Sequence, residues 1–322
     1  MMSHNDKVPF TGKSDKCPGF FKWIHHDLEP WSETRISYDH LMEVKKFASF
    51  RVVIIGGKLY VEYYYDCVQS RAMFTIWGLL QLLKSNYIGP WEEEFRSIKE
   101  GSQKQSWSKK YPYAYWKGNP DVDSPIREAL LQCNDTTQWG ALIMRQNWTQ
   151  EIQHGFKQSK LSAQCNHRYK IYAEGYAAWS VSLKYILSCG CVPLIINPKY
   201  DDFFSRGLFP KKDYLPISPE NICPSIKTAV KWGNAHPAQA EAIGKSVQDF
   251  MEIDRIYGYM YHLIVEYAEL LDFKPVRPVS ALEECVESLY CFADQNQTQL
   301  LARSATSPSQ IPPCKLPAQA NR

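Results

Sequence analysis

The sequence predicts an α/β protein, and three observations carry that reading. A strand–turn–helix–strand unit of about 30 residues runs from Arg168 to Asn197, the size of a right-handed βαβ crossover. Short β-branched or aromatic runs alternate with segments of helical spacing along most of the chain. The length of 322 residues, with 44% hydrophobic and 22% charged, is enough for two ordinary α/β domains or one large one.

Taken in order, Met1–Lys16 reads as a loose polar tail, and Cys17–Trp31 is aromatic-rich and closed by Pro30. Arg51–Tyr65 holds two β-formers' runs joined by Gly56-Gly57, which is a two-residue hairpin signal. Ser70–Lys84 is apolar with helical spacing and has Ser70 as N-cap, and Trp91–Glu100 is a charged amphipathic helix. Tyr111–Trp116 reads as a strand, followed by the turn Lys117-Gly118-Asn119-Pro120 and a helix over Pro125–Cys133. In the central unit, Arg168–Glu174 is a strand broken by Gly175, Ala178–Ser188 a helix and Val192–Asn197 a short buried strand. Asp201–Gly207 and Tyr214–Ile217 continue the alternation, and Ile222–Phe273 is almost wholly helical. From Lys274 onward Pro, Ser and Gln accumulate, and disorder is expected over the last twenty residues.

Several function classes fall away on composition. A net charge of +3 is too small for a dedicated polyanion binder, so nucleic acid is not the expected partner. The longest apolar runs fall short of the roughly 20 residues a membrane span needs. No apolar leader region is read in Met1–Lys16, and no retention tetrapeptide in Gln319-Ala320-Asn321-Arg322. The ten cysteines include no CxxC pair, and the Cys189-Gly190-Cys191 spacing is poor for a metal, which leaves isolated disulfides or buried thiols. Three glycosylation sequons occur, at Asn134-Asp135-Thr136, Asn147-Trp148-Thr149 and Asn296-Gln297-Thr298. Aromatic content of 14% suits a sugar-handling surface and a core equally.

Two places could carry chemistry. The turn Glu174-Gly175-Tyr176 leads into a helix from the carboxyl end of a parallel strand, where backbone N–H groups and the helix dipole hold phosphate. Ser180, Ser182 and Lys184 in the first turns could add hydroxyl and ammonium donors; the bland alternative is a plain helix start with serine caps. The turn Gly118-Asn119-Pro120 followed by Arg127 permits close approach of a ligand with a guanidinium to clamp its phosphate, or else is only a turn beside a solvated arginine. His25 and His26 beside Asp27 are expected to point apart and to take a surface or packing role rather than to catalyse. No GxSxG, HExxH, P-loop or kinase motif set is present.

The runs YPYAYWKGNP (111–120), FKQSKLSAQCNHRYKIYAEGYAAWSVSLKYILSCG (156–190) and YDDFFSRGLFP (200–210) resemble the CAP10-type O-glycosyltransferases of glycosyltransferase family 90, most closely the plant Rumi-like branch. The likeness extends from Cys17 to Cys291. It implies a GT-B-like architecture of two Rossmann-like domains, here with the N-terminal domain incomplete. The implied layout is a tail at 1–16, an acceptor-side domain at 17–109, a nucleotide-sugar-binding domain at 110–272 and an extension at 273–322 that is largely disordered after about residue 300.

It also implies transfer of glucose or xylose from UDP-glucose or UDP-xylose to a protein or glycan hydroxyl, with inversion. No metal or other cofactor is expected, and the implied setting is the lumen of the endoplasmic reticulum or Golgi. By the resemblance, Gly118, Asn119 and Arg127 match donor-contacting positions, and Glu174, Gly175, Ser180 and Ser182 match the donor-domain loop and helix start.

The chain departs from the family pattern in three ways. The loop at Tyr176-Ala177-Ala178-Trp179 is one residue longer than usual, and Ser182 stands where animal members carry a phosphate-binding arginine. Between Leu83 and Trp91, several dozen residues of the family are replaced by Ser85–Pro90. The missing segment carries the aspartate thought to be the general base, and Ser, Asn, Tyr and Gly are poor bases at neutral pH. The rival expectation is therefore a catalytically impaired splice or truncation variant, or a UDP-sugar-binding pseudoenzyme that lacks the base. A lectin-like module using exposed aromatics is a third, and it predicts sugar binding without nucleotide dependence.

Overall fold

The computed structural model describes residues 17, 19–44, 50–63, 91–157, 159–175, 182–199, 205–251, 253–284, 298 and 314–316. In chain order the helices are α1 (Trp23–Leu28), α2 (Tyr38–Val44), α3 (Trp91–Gln103), α4 (Pro125–Leu131), α5 (Trp148–Gln153), α6 (Leu161–Gln164), α7 (Ser182–Ser188), α8 (Ile222–Ala235), α9 (Pro237–Phe250) and α10 (Ile253–Glu269). The strands are β1 (Phe50–Ile55), β2 (Lys58–Tyr63), β3 (Tyr111–Gly118), β4 (Ala141–Arg145), β5 (His167–Tyr172), β6 (Val192–Ile196), β7 (Leu215–Ile217) and β8 (Leu282–Glu284). The chain divides into two units, one of Met1–Phe21 with Tyr87–Ile256, the other of Lys22–Asn86 with Tyr257–Arg322.

The first unit is built on a five-stranded, wholly parallel sheet in the order β4-β3-β5-β6-β7. Its central strands β5 and β6 are buried on both faces, as parallel strands covered by crossover helices are. Ala114, Trp116, Ala141, Ile143, Tyr169, Ile171, Val192, Leu194, Ile196, Leu215 and Ile217 form one face, packed against Leu130 of α4 and Ile222, Ile226 and Val230 of α8. The alternate residues Tyr172 and Ile195 face the other way, onto Leu183, Ile186 and Leu187 of α7 and Val247 of α9. The period of two thus sorts each strand's side chains between two helical layers.

Among the described residues, two disulfides join segments within this unit. Cys133, just past α4, is bonded to Cys223 in α8 across 90 residues, and Cys165 is bonded to Cys189 across 24. Cys191 remains a buried free thiol. The disulfide at Cys189 takes one sulfur of the Cys189-Gly190-Cys191 pair out of metal chemistry, in keeping with the sequence reading.

In the second unit the Gly56-Gly57 turn closes the hairpin of β1 and β2, with both glycines in the left-handed region (φ 58° and 78°) that a two-residue turn of this kind requires. Arg51 and Glu62, directly opposite in the register, pair at 3.2 Å. β8 adds to β2 antiparallel, and Lys58 meets Glu283 at 2.8 Å. His25 pairs with Glu266 and His26 with Glu29, at 3.4 and 3.2 Å, so the adjacent histidines do point to different partners.

The predicted elements that fall on described residues are present, with ends shifted by a few positions. Ile222–Phe273, read as nearly continuous helix, is three helices. The first break is at Pro237, which cannot supply an N–H inside a helix and instead starts α9. The second is at Met251. β4 was not foreseen and proves central to the sheet's topology. The predicted helix over Ser70–Lys84 and the shortened connection Ser85–Pro90 lie outside the described residues.

Candidate functional site at the sheet switch point

β3 lies next to β4 on one side and β5 on the other, so the crossovers out of β3 and β5 leave in opposite directions. In strand order this is the 2-1-3-4-5 arrangement of doubly wound sheets, whose ligands bind in the crevice outside the carboxyl ends where the order reverses. Gly118 and Asn119 end β3 there, and Ala173, Glu174 and Gly175 end β5.

Arg127 of α4 joins the two strand ends. Its Nη1 donates to the Asn119 carbonyl at 2.8 Å, while Nε and Nη2 both donate to the Ala173 carbonyl at 3.3 Å. The guanidinium lies 5.9 Å from the centre of the Trp116 ring, and burial lowers its pKa from the ordinary arginine value. A glycine is needed beneath this ring, because a Cβ on Gly118 would stand 2.6 Å from Trp116 Cζ2. Gly175 similarly lets Nη2 approach to 3.2 Å of where its Cβ would be. The structure therefore makes Arg127 a bracket that holds both loops through their backbones, in addition to bringing positive charge to the crevice.

Glu174 is half-buried between β5 and β6. Its Oε2 accepts from the Lys199 N–H at 2.9 Å, and its own carbonyl accepts from Ser124 Oγ at 2.9 Å. Oε1 is buried and has no hydrogen-bond partner among the described residues. A buried carboxylate oxygen without a donor is costly, and is the state expected of a group awaiting a ligand's hydroxyl or N–H. The side chain of Asn119 accepts from the Asp121 N–H at 2.9 Å, and Asp121 pairs with Arg145 at the end of β4, so the turn is shaped internally.

On the opposite face of β3, Lys117 donates to Glu151 Oε1 and to Ser159 Oγ, both at 2.6 Å, and fixes α5 against the strand end. Burial pushes the Glu151 carboxyl up, but the bonds from Lys117 and Ser159 outweigh it and hold its pKa below the ordinary value. Sequence reasoning missed this cluster. Its only signal was a lysine in an otherwise apolar and aromatic strand.

Five of the seven residues singled out from sequence, Gly118, Asn119, Arg127, Glu174 and Gly175, are thus brought to one crevice. Ser182 is the first residue of α7 and is half-buried. Lys184 is half-buried too, with its pKa lowered by burial and its Nζ 5.3 Å from the Tyr185 ring centre. Ser180 lies outside the described residues.

A doubly wound parallel sheet with charged, glycine-edged loops at its switch point defines a Rossmann-like α/β domain. Against known proteins, the family model described as Glycosyl transferase family 90 matches residues 12–87 and 85–322, and the chain belongs to that family. Among curated proteins, Protein O-glucosyltransferase 3 of Mus musculus is 24% identical over 184 residues, covering 55% of this chain and 36% of that protein. The Homo sapiens counterpart is 24% identical over 183 residues, with the same shares. Protein O-glucosyltransferase 1 of Rattus norvegicus is 22% identical over 201 residues, covering 59% and 50%. The matched region spans from about a third to half the length of these relatives.

Proposed function

We propose that this chain binds a UDP-sugar at the β3–β5 switch point and descends from enzymes that transfer its glucose or xylose to a hydroxyl of a protein or glycan acceptor. The observation that carries this is Arg127 bracketing Asn119 and Ala173 beside the unpartnered Glu174 Oε1. In this reading Glu174 accepts from a hydroxyl of the nucleoside. The turns after β3 and β5, held by Arg127, surround the diphosphate. Transfer is inverting and metal-independent. The acceptor oxygen attacks the sugar's anomeric carbon as the bond to UDP breaks, and the negative charge gathering on the diphosphate is met by Arg127 and by Ser182 at the start of α7. The GT-B-like pairing with an acceptor-side domain and a setting in the secretory pathway belong to the same proposal; the Cys133–Cys223 and Cys165–Cys189 disulfides support an oxidising compartment. Among the described residues no helix is long and apolar enough to cross a membrane.

A specific observation favours a second reading, binding without efficient transfer. The two stretches matched by the family model meet at residues 85–87, where, by the resemblance, Ser85–Pro90 stands in place of the segment carrying the family's base. Loss of a general base costs about 10²–10⁴-fold in rate. A thermal-shift titration with UDP, and CMP as control, tests binding. At 100 times the dissociation constant a ligand adds about 2.7 kcal/mol to a folded binder. A UDP-specific upward shift supports the donor site, and a clean transition without one sinks it. Turnover of UDP-glucose or UDP-xylose then separates the enzyme from the impaired binder.

A further inference from the structure

We propose that Asn147 carries an N-linked glycan on the rim of the switch-point crevice. The inference rests on the lumenal reading above but not on the donor site. Asn147 begins the sequon Asn147-Trp148-Thr149, and all three residues are exposed. Its side chain is already divided between two duties. Oδ1 caps α5 by accepting from the Gln150 N–H at 3.1 Å, while Nδ2, the atom a sugar would join, has no hydrogen-bond partner among the described residues. Glycosylation replaces one hydrogen on Nδ2 and leaves the carbonyl oxygen intact, so the cap and the glycan are compatible. The Cys133–Cys223 and Cys165–Cys189 bonds mark a chain that folds in the oxidising compartment where sequons are modified.

The position is what gives the modification consequence. The residue before it, Gln146, donates its N–H to the Gly118 carbonyl at 2.8 Å, and Arg145 is paired with Asp121 of the Gly118–Asp121 turn. A glycan on Asn147 therefore stands beside the mouth that a nucleotide-sugar would enter. The sequon at Asn134 is also exposed, and its Oδ1 accepts from the Ile143 N–H at 2.8 Å. It sits at the amino end of the sheet, in the loop leading into β4, away from that mouth.

The step is a glycosyl transfer from a polyprenyl-diphosphate-linked oligosaccharide by the cell's own machinery, acting on the nascent chain. The bond from the anomeric carbon of the first N-acetylglucosamine to the diphosphate breaks, a bond to Asn147 Nδ2 forms, the polyprenyl diphosphate leaves, and the displaced amide proton passes to a base.

The test is to secrete the full chain from eukaryotic cells behind an added leader. The product is then treated with peptide N-glycosidase in ¹⁸O-water and its peptides are sequenced by mass spectrometry. The expected result is an Asn147 peptide recovered as ¹⁸O-labelled aspartate, together with a linked Cys133–Cys223 peptide. Thr149→Val should abolish that label and remove one glycan's step in gel mobility, while leaving the Asn147 cap and the unfolding midpoint in place. Unmodified Asn147 in chains whose Cys133–Cys223 bond has formed would overturn the proposal. Absence of the linked peptide as well as of the label would overturn both it and the lumenal reading. A labelled Asn147 without a UDP response leaves the glycan standing and removes only the donor site.

Discussion

Replacing Arg127 by Met tests whether the bracket is what assembles the crevice. Methionine keeps much of the volume against Trp116 but withdraws three N–H donors from the Asn119 and Ala173 carbonyls. A hydrogen bond from a charged donor is worth about 1.5–3 kcal/mol net. The 2.8 Å bond counts near that range, and the two 3.3 Å contacts share one acceptor and together count for less. Because the site is half-open, water will rehydrate part of what is exposed. The expected loss is therefore about 2–3 kcal/mol, or roughly 4–12 °C in midpoint for a unit of this size. Differential scanning fluorimetry with and without UDP reads both consequences, a lower midpoint and loss of the UDP-induced rise. Arg127→Lys should recover part of the stability, since an ammonium can serve one carbonyl at a time. An Arg127→Met midpoint within about 2 °C of the parent, with the UDP response unchanged, would refute the bracket.

Glu174→Gln keeps an acceptor for the Lys199 N–H but turns the unpartnered oxygen into a donor, so UDP affinity should fall roughly 10–100-fold while stability holds or rises. Isothermal titration beside thermal unfolding separates the two. Removing the Cys133–Cys223 bond with paired serines opens a loop of 90 residues and should cost roughly 4.5 kcal/mol by loop entropy, which urea unfolding would measure. His167 is buried and its pKa is lowered by that burial to about 4. The unfolded chain then binds a proton that the folded one refuses between about pH 6.5 and 4, so stability falls as pH drops through that window, by up to about 3 kcal/mol. His167→Gln should flatten this part of the pH–stability curve, and an unchanged slope would count against the buried neutral imidazole.

How much of this was legible in the sequence follows from the range of each interaction. The hairpin, the β5–α7–β6 unit and the starts of α4 and β3 are written in local signals, namely glycine pairs, Pro at a helix start and short β-branched runs. β4 was missed because Ala141–Arg145 is five residues at the sheet edge, with two exposed positions and weak alternation. That omission hid the switch point, since the reversal of strand order exists only once β4 is set beside β3. The residues at the crevice were nonetheless named, because Gly118 and Gly175 mark strand ends. What local reading did not supply was the backbone duty of Arg127. Its spacing suggests a phosphate clamp or a solvated arginine, and neither reading contains the carbonyls it holds, contributed by residues 8 and 46 positions away. The Lys117–Glu151–Ser159 cluster spans up to 42 residues and had no local trace for the same reason.

The bond between Cys133 and Cys223 also sets a timetable. The helix that carries Arg127 ends at Leu131, two residues before the first of these cysteines, and the second is made only after 90 more residues have been added. While β5, α7 and β6 are being synthesised, that helix can dock but cannot be locked. The crevice is thus among the last parts of the sheet unit to become permanent as the chain emerges. A ribosome paused before residue 223, or a thiol blocked at that moment, would yield strands in place around an unsecured mouth.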